Sequence, residues 1–119
     1  MTKKIILRIL ITIVFLFSVI VLYFVNLDKY PLGLYQDEAS LGYDAFSFLH
    51  TGKDHFGKSF PVFLRSFSDF QSPLYAYFTI VPIYFWDLSI FTTRFISALS
   101  GVLCVVLTFL ISKEIKKNN

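Results

Sequence analysis

Two long stretches with almost no charged residues constrain the fold of this chain more than any other feature of its sequence. Residues 9–25 carry no charge, and residues 74–112 contain only two charged side chains, Asp87 and Arg94. Ten of the nineteen charges fall instead within residues 28–72. Because roughly 20 apolar residues in a helix cross the ~30 Å hydrocarbon core of a bilayer, the sequence predicts a membrane protein with one charged loop.

The composition excludes three other classes of protein. The chain of 119 residues is 55% hydrophobic and 16% charged, whereas soluble domains average about 25% charged residues and disordered chains are poor in hydrophobic ones. The bases behind the net charge of +3 are concentrated at the two ends, in residues 1–8 and 113–119. No basic face is available to follow a phosphate backbone, so no nucleic acid is expected as a partner.

The apolar stretches predict an all-α integral membrane protein with three transmembrane helices. These would cover residues 9–27, 73–88 and 89–112, and each must be helical because lipid offers no partners for backbone N–H and C=O groups. The basic N-terminus, residues 1–8, is expected to stay in the cytoplasm under the positive-inside tendency. Residues 28–72 would then form an external loop at the plasma membrane, in a multi-pass arrangement.

Two alternatives to this topology stay open. A cleaved signal peptide is one, although the first apolar run exceeds the usual ~7–15 residues and no small-x-small cleavage site follows it. The other is a two-span arrangement with residues 74–86 re-entrant or interfacial, which would place the basic tail, residues 113–119, in the cytoplasm. Three spans put that tail outside, against the positive-inside tendency. We favour three because a thinned bilayer accommodates a short second span.

The charged loop of 45 residues, 28–72, is expected to carry a short amphipathic helix. Asp37 suits the N-cap position and Glu38 the first turn, where the helix dipole favours an acid. Apolar residues then recur at helical spacing, and Gly52 fits a glycine C-cap. We therefore expect a helix over residues 37–51 that lies along the membrane surface.

The adjacent acids Asp37 and Glu38 are the sharpest chemical feature of the loop. Two carboxylates near the outer surface of a membrane can supply a general base, a metal ligand or a clamp for substrate hydroxyls. The alternative interpretation is structural, an N-cap followed by a dipole-favoured glutamate. Asp69 and Gln71 directly precede the second apolar stretch, where they could meet the acidic pair and bind substrate.

The other titratable residues receive structural interpretations. Asp44 is interpreted as a solvated position of the predicted helix, and His55 as a surface loop residue. Arg94 is interpreted as a cation that reaches the lipid headgroups or pairs with Asp87. His50 and His55 lack a ligand spacing with each other, so no cofactor and no metal-ligating residue are predicted, and the binding of a divalent metal stays open.

Several short motifs, taken in order, carry a family resemblance. They are Pro31-Leu32-Gly33, Asp37-Glu38-Ala39, Gly42-Tyr43, Thr51-Gly52-Lys53-Asp54, Pro73-Leu74-Tyr75, Arg94 and Ser97-Ala98-Leu99-Ser100-Gly101. The chain resembles the N-terminal portion of bacterial membrane glycosyltransferases of family 39, which are similar to protein O-mannosyltransferases and belong to the C-type superfamily. The Asp-Glu-Ala motif directly after the first apolar stretch is the most specific element.

The resemblance implies a function and a set of residue roles. It implies transfer of a sugar from a polyprenyl-phosphate donor to a lipid or protein acceptor at the outer face of the membrane. Asp37 would take the proton of the acceptor hydroxyl, and Glu38 would position the acceptor or active-site groups. The leaving phosphate needs cations, and the loop offers Lys53, Lys58 and Arg65 for substrate binding.

The chain also departs from this family. Gln71-Ser72-Pro73 stands where relatives often carry His-Pro-Pro or Lys-Pro, and the family's enzymes have many more spans. We therefore expect a truncated, split or partial form that is inactive alone and is completed by the remaining helices of a split enzyme. The alternative is a small non-enzymatic membrane protein that assembles with partner helices, and a third interpretation is a gene remnant.

Overall fold

The computed structural model describes residues 2–66 and 69–118 of the chain. In chain order its elements are α1 (Thr2–Phe24), α2 (Gln36–Thr51), β1 (Leu64–Ser66), β2 (Asp69–Gln71), α3 (Leu74–Trp86) and α4 (Ile90–Asn118). They divide into two compact units. Unit 1 comprises Met1–Val25 and Ser97–Asn119, and unit 2 comprises Asn26–Ile96.

Unit 1 consists of α1 and most of α4, which run antiparallel. Tyr23, near the end of α1, contacts Gly101, where a side chain would collide with the tyrosine ring. Phe15, earlier in α1, meets Phe109, later in α4, with 6.4 Å between the ring centroids. This antiparallel order brings the basic start of α1 and the basic end of α4 to the same end of unit 1.

The prediction of three transmembrane helices is wrong. Among the described residues one helical segment, Ile90–Lys117, is long and apolar enough to cross a membrane. Helix α3 has 13 residues, and at 1.5 Å per residue it covers about 20 Å of the ~30 Å hydrocarbon core. The described apolar part of α1, Ile9–Phe24, is also too short. The two-span alternative fails for the same reason.

The helices end where the backbone turns, and not where the run of uncharged residues ends. Asn26 has a positive φ of 57°, and α1 stops at Phe24, short of the predicted boundary at residue 27. Asp87 has a φ of 62° and closes α3, where its N–H bonds to the carbonyl of Ile83. The hydrophobic run from residue 74 to 112 therefore breaks into a short helix and a long one.

Unit 2 has its hydrophobic core between α2, α3 and the sheet. The core residues are Ala45, Phe48, Leu64, Ala76 and Ile83. Helix α2 is therefore not a free amphipathic helix on a membrane surface, because it buries Ala45 and Phe48 against α3. The Phe48 ring also packs against Tyr77 of α3 at an interplanar angle of 57°, with 5.2 Å between the ring centroids.

Unit 2 is also not purely helical. Strands β1 and β2 form a two-stranded antiparallel sheet in which Leu64 pairs with Gln71, and Arg65 with Phe70. Leu64 of β1 is 1% exposed and belongs to the hydrophobic core. The register fixes Gln71 at the end of β2, directly before α3.

Candidate functional site

Asp37 lies at the start of α2 and faces two polar side chains from the sheet. Its Oδ1 accepts a hydrogen bond of 2.7 Å from Nε2 of Gln71 and a longer one of 3.4 Å from Oγ of Ser66. Both described hydrogen bonds fall on Oδ1, and Asp37 is exposed. The carboxylate is thus oriented through one oxygen, while Oδ2 has no donor among the described residues.

The N-cap interpretation of Asp37 is wrong. Helix α2 begins at Gln36 with Tyr35 as its N-cap, and Asp37 belongs to the first turn. Glu38 provides the capping contact by accepting the backbone N–H of Tyr35 at 3.0 Å. The Asp37 carboxylate is consequently not used to cap the helix and is available for chemistry.

Glu38 forms a two-point ion pair with Arg94. Nε of Arg94 donates to Oε1 at 3.2 Å, and Nη2 donates to Oε2 at 3.0 Å. The remaining N–H groups of Arg94 donate to the carbonyls of Leu27, Pro31 and Gly33 at 3.1, 3.0 and 2.5 Å. A guanidinium has five N–H donors, and here all five are used at a side chain that is 4% exposed. Arg94 therefore holds the segment before α2 against its first turn.

The Arg94 contact lowers the pKa of Glu38. The hydrogen bonds from the guanidinium are the largest cause; partial burial opposes them, and the Tyr35 N–H and the positive charge of Arg94 add to the lowering. Glu38 therefore stays ionised at neutral pH and is occupied by its partner. Of the two adjacent acids, Asp37 is the one without an ion-pair partner among the described residues.

We expect this ion pair to make stability depend on pH in acid. Because the pKa of Glu38 is lowered on folding, its contribution is present above its unfolded pKa of about 4.3 and is lost as the pH falls through the folded value. The pair is partly exposed at Glu38, so the contribution is below about 1 kcal/mol. Thermal unfolding of wild type and Glu38→Gln should differ at pH 6 and converge toward pH 3. A constant difference over this range would contradict the prediction.

The sequence interpretations of Arg94 are both wrong. It neither extends to the headgroups nor pairs with Asp87, whose Oδ1 accepts the N–H of Leu88 instead. The partner was missed because Glu38 lies 56 residues away in the sequence. The sequence nevertheless contained a signal for this contact. An arginine in an apolar stretch needs an acidic partner, and Asp37 and Glu38 were natural candidates.

The structure gathers only part of the predicted substrate-binding set. Gln71 reaches Asp37, but Asp69 accepts the N–H of the next residue in β2 and has no described contact with the acidic pair. Lys53 is exposed in the segment after α2. Arg65 lies with its guanidinium carbon 5.2 Å from the centroid of the Phe56 ring. A role in substrate binding stays a prediction for all of these residues.

Asp44 and His55 form a contact that the sequence did not reveal. Asp44 is 0% exposed, and its Oδ1 accepts the backbone N–H of His55 at 2.9 Å and lies 2.5 Å from the ring Nδ1. Oδ2 is buried without a hydrogen-bond partner in the described part of the chain. The solvated interpretation of Asp44 is wrong; its spacing of four residues from the buried Phe48 was the available signal.

No group of three or more acids, histidines or cysteines in the described residues could hold a metal ion.

Comparisons with known proteins add nothing to the site. No family model, no curated protein and no solved structure matches the chain. Any function assigned to it therefore rests on its own residues.

Proposed function

We propose that unit 2 carries the acceptor-activating site of a membrane glycosyltransferase that uses a polyprenyl-phosphate-linked sugar. The observation that supports this most is the geometry of Asp37. Its carboxylate is oriented through Oδ1 by Gln71, open at Oδ2 and exposed at the surface. A general base needs this combination of a fixed orientation and an oxygen that a substrate can reach.

The reaction follows from these roles. Asp37 accepts the proton of the acceptor hydroxyl as the hydroxyl oxygen attacks the anomeric carbon of the sugar. The bond from that carbon to the phosphate oxygen breaks, and the phosphate leaves with the electron pair. Glu38 is a positioning residue, because its ion pair with Arg94 holds the turn that carries Asp37.

The leaving phosphate needs positive charge near it. Lys53 is an exposed cation of unit 2, and we assign it to this task, with Asp69 and Gln71 on the acceptor side. The lipid or protein acceptor and the donor both meet the site at the membrane surface.

The orientation in the membrane follows from charge. Helix α4 is the membrane candidate, and its C-terminal end carries Lys113, Lys116 and Lys117. Under the positive-inside tendency the basic end of α4 is expected in the cytoplasm, and we propose that residues 28–72 face the outer surface of the plasma membrane.

The test uses the full chain in liposomes with a polyprenyl-phosphate donor that carries a radiolabelled hexose or pentose. We expect the protein to bind this donor, and release of polyprenyl phosphate with transfer to an acceptor lipid or to water would show that it is also active alone. Binding is measured by native mass spectrometry and release by chromatography. A chain that neither binds nor consumes either donor would contradict the proposal.

A further inference from the structure

The sheet of unit 2 has an inner and an outer face. Leu64 and Ser66 of β1 are buried, so the residue between them, Arg65, points outward. Its cross-strand partner Phe70 shares that face and is 65% exposed. The Arg65 guanidinium also lies over the ring of Phe56, which is 49% exposed. An arginine and two aromatic rings therefore form one exposed surface.

The segment directly before β1 adds two apolar side chains. Val62 is 77% exposed and Phe63 is 64% exposed. We call the surface formed by Phe56, Val62, Phe63, Arg65 and Phe70 the outer face. Several large apolar side chains exposed on one short segment and its sheet are the kind of surface that contacts a partner.

Within residues 53–66 the exposed charges have one sign, and Asp69, the exposed acid next to Phe70, pairs with Ser66 on the opposite face of the sheet. Residues 53–66 contain three exposed bases, Lys53, Lys58 and Arg65. Their only acid, Asp54, is 4% exposed, and its Oδ1 accepts the backbone N–H of Lys58. The surface charge of this segment is therefore positive, which complements an anionic partner.

We propose that the outer face docks onto an anionic phospholipid surface. Val62, Phe63 and Phe70 would enter the interfacial layer, where aromatic side chains are enriched. Lys58 and Arg65 would pair with lipid phosphates while the stem of Arg65 stays on apolar surface. The same chain carries a helix long and apolar enough to cross a membrane, so a lipid surface is the nearest partner with this chemistry. The inference goes beyond the proposed glycosyl transfer and does not depend on it.

The test is a labelling experiment on the full chain with Cys104 replaced by serine. A fluorophore sensitive to its environment is attached at Val62→Cys or, as a control, at Ala39→Cys, which is also exposed. The protein is reconstituted in phosphatidylcholine vesicles with or without phosphatidylglycerol. We expect iodide to quench the label at position 62 several-fold less than the label at position 39, and nitroxide lipids to quench it more. Protection should be greater with phosphatidylglycerol.

A charge variant separates lipid docking from other contacts. Lys58→Gln combined with Arg65→Gln should remove the dependence on phosphatidylglycerol, whereas Lys116→Gln combined with Lys117→Gln removes the same charge elsewhere and should not. Fluorescence of Trp86 verifies that each variant is folded. Equal iodide access at positions 62 and 39 would overturn the proposal. The proposal would also be overturned if protection at position 62 changed neither with anionic lipid nor with the Lys58 and Arg65 substitutions. Such a result would indicate a protein contact.

Discussion

Replacing Arg94 with leucine is expected to lower the free energy of unfolding of the protein by about 1.5–3 kcal/mol, the range for losing hydrogen bonds made by a charged group. Leucine fills part of the space but supplies no donors. The carbonyls of Leu27, Pro31 and Gly33 belong to the backbone and cannot be removed with the side chain. They would be left without the N–H groups that satisfy them, next to an unpaired Glu38.

The matched control for this prediction is Arg94→Lys. Lysine keeps the charge, but its ammonium has three donors and cannot form the planar two-point contact with a carboxylate, so an intermediate loss is expected. Thermal unfolding in detergent, followed by the fluorescence of Trp86, measures both variants. Trp86 is a suitable reporter because it is the only tryptophan and packs on Phe95 within unit 2, with 5.6 Å between ring centroids. A leucine variant as stable as wild type would refute the prediction.

Asp37→Asn is expected to reduce glycosyl transfer by about 10²–10⁴-fold, the usual contribution of a positioned general base. Asparagine has nearly the same shape, and its carbonyl oxygen can still accept the hydrogen bond from Gln71. The variant should therefore fold normally and lose only the ability to take a proton. The measurement is release of polyprenyl phosphate from the labelled donor under saturating conditions.

Asp28→Asn serves as the control for the Asp37 substitution. Asp28 is an exposed acid of the same unit, so its neutralisation changes the net charge equally and should leave transfer unchanged. If Asp37→Asn retains full activity while unfolding at the wild-type temperature, Asp37 is not the base. Equal losses in both variants would point to a general charge effect.

Local signals predicted helix α2 well. The acids at its start and Gly52 at its end predicted a helix over residues 37–51. In the structure the helix is Gln36–Thr51, and Gly52 follows it with a φ of 69°. These signals act over one or two turns and need no knowledge of the rest of the chain. Strands β1 and β2 were not predicted because three residues are too few to show an alternating pattern.

Long-range contacts were out of reach of the same arguments. Glu38 and Arg94 meet across 56 positions of sequence, and the burial of Asp44 depends on where His55 returns to α2. The transmembrane prediction failed for a related reason. Hydrophobicity indicates which residues avoid water. The C-terminal ends of α1 and α3 are set instead by the backbone, which has positive φ angles at Asn26 and Asp87.

All five N–H donors of Arg94 are already used within the fold, and this affects how donor binding depends on salt concentration. Arg94, a buried cation of unit 2, has no N–H left for a phosphate, so an anionic substrate must rely on exposed bases such as Lys53. Attraction between exposed charges is screened over about 10 Å at 0.1 M ionic strength. Donor binding should therefore weaken as salt is added, while the fold held by Arg94 stays unaffected.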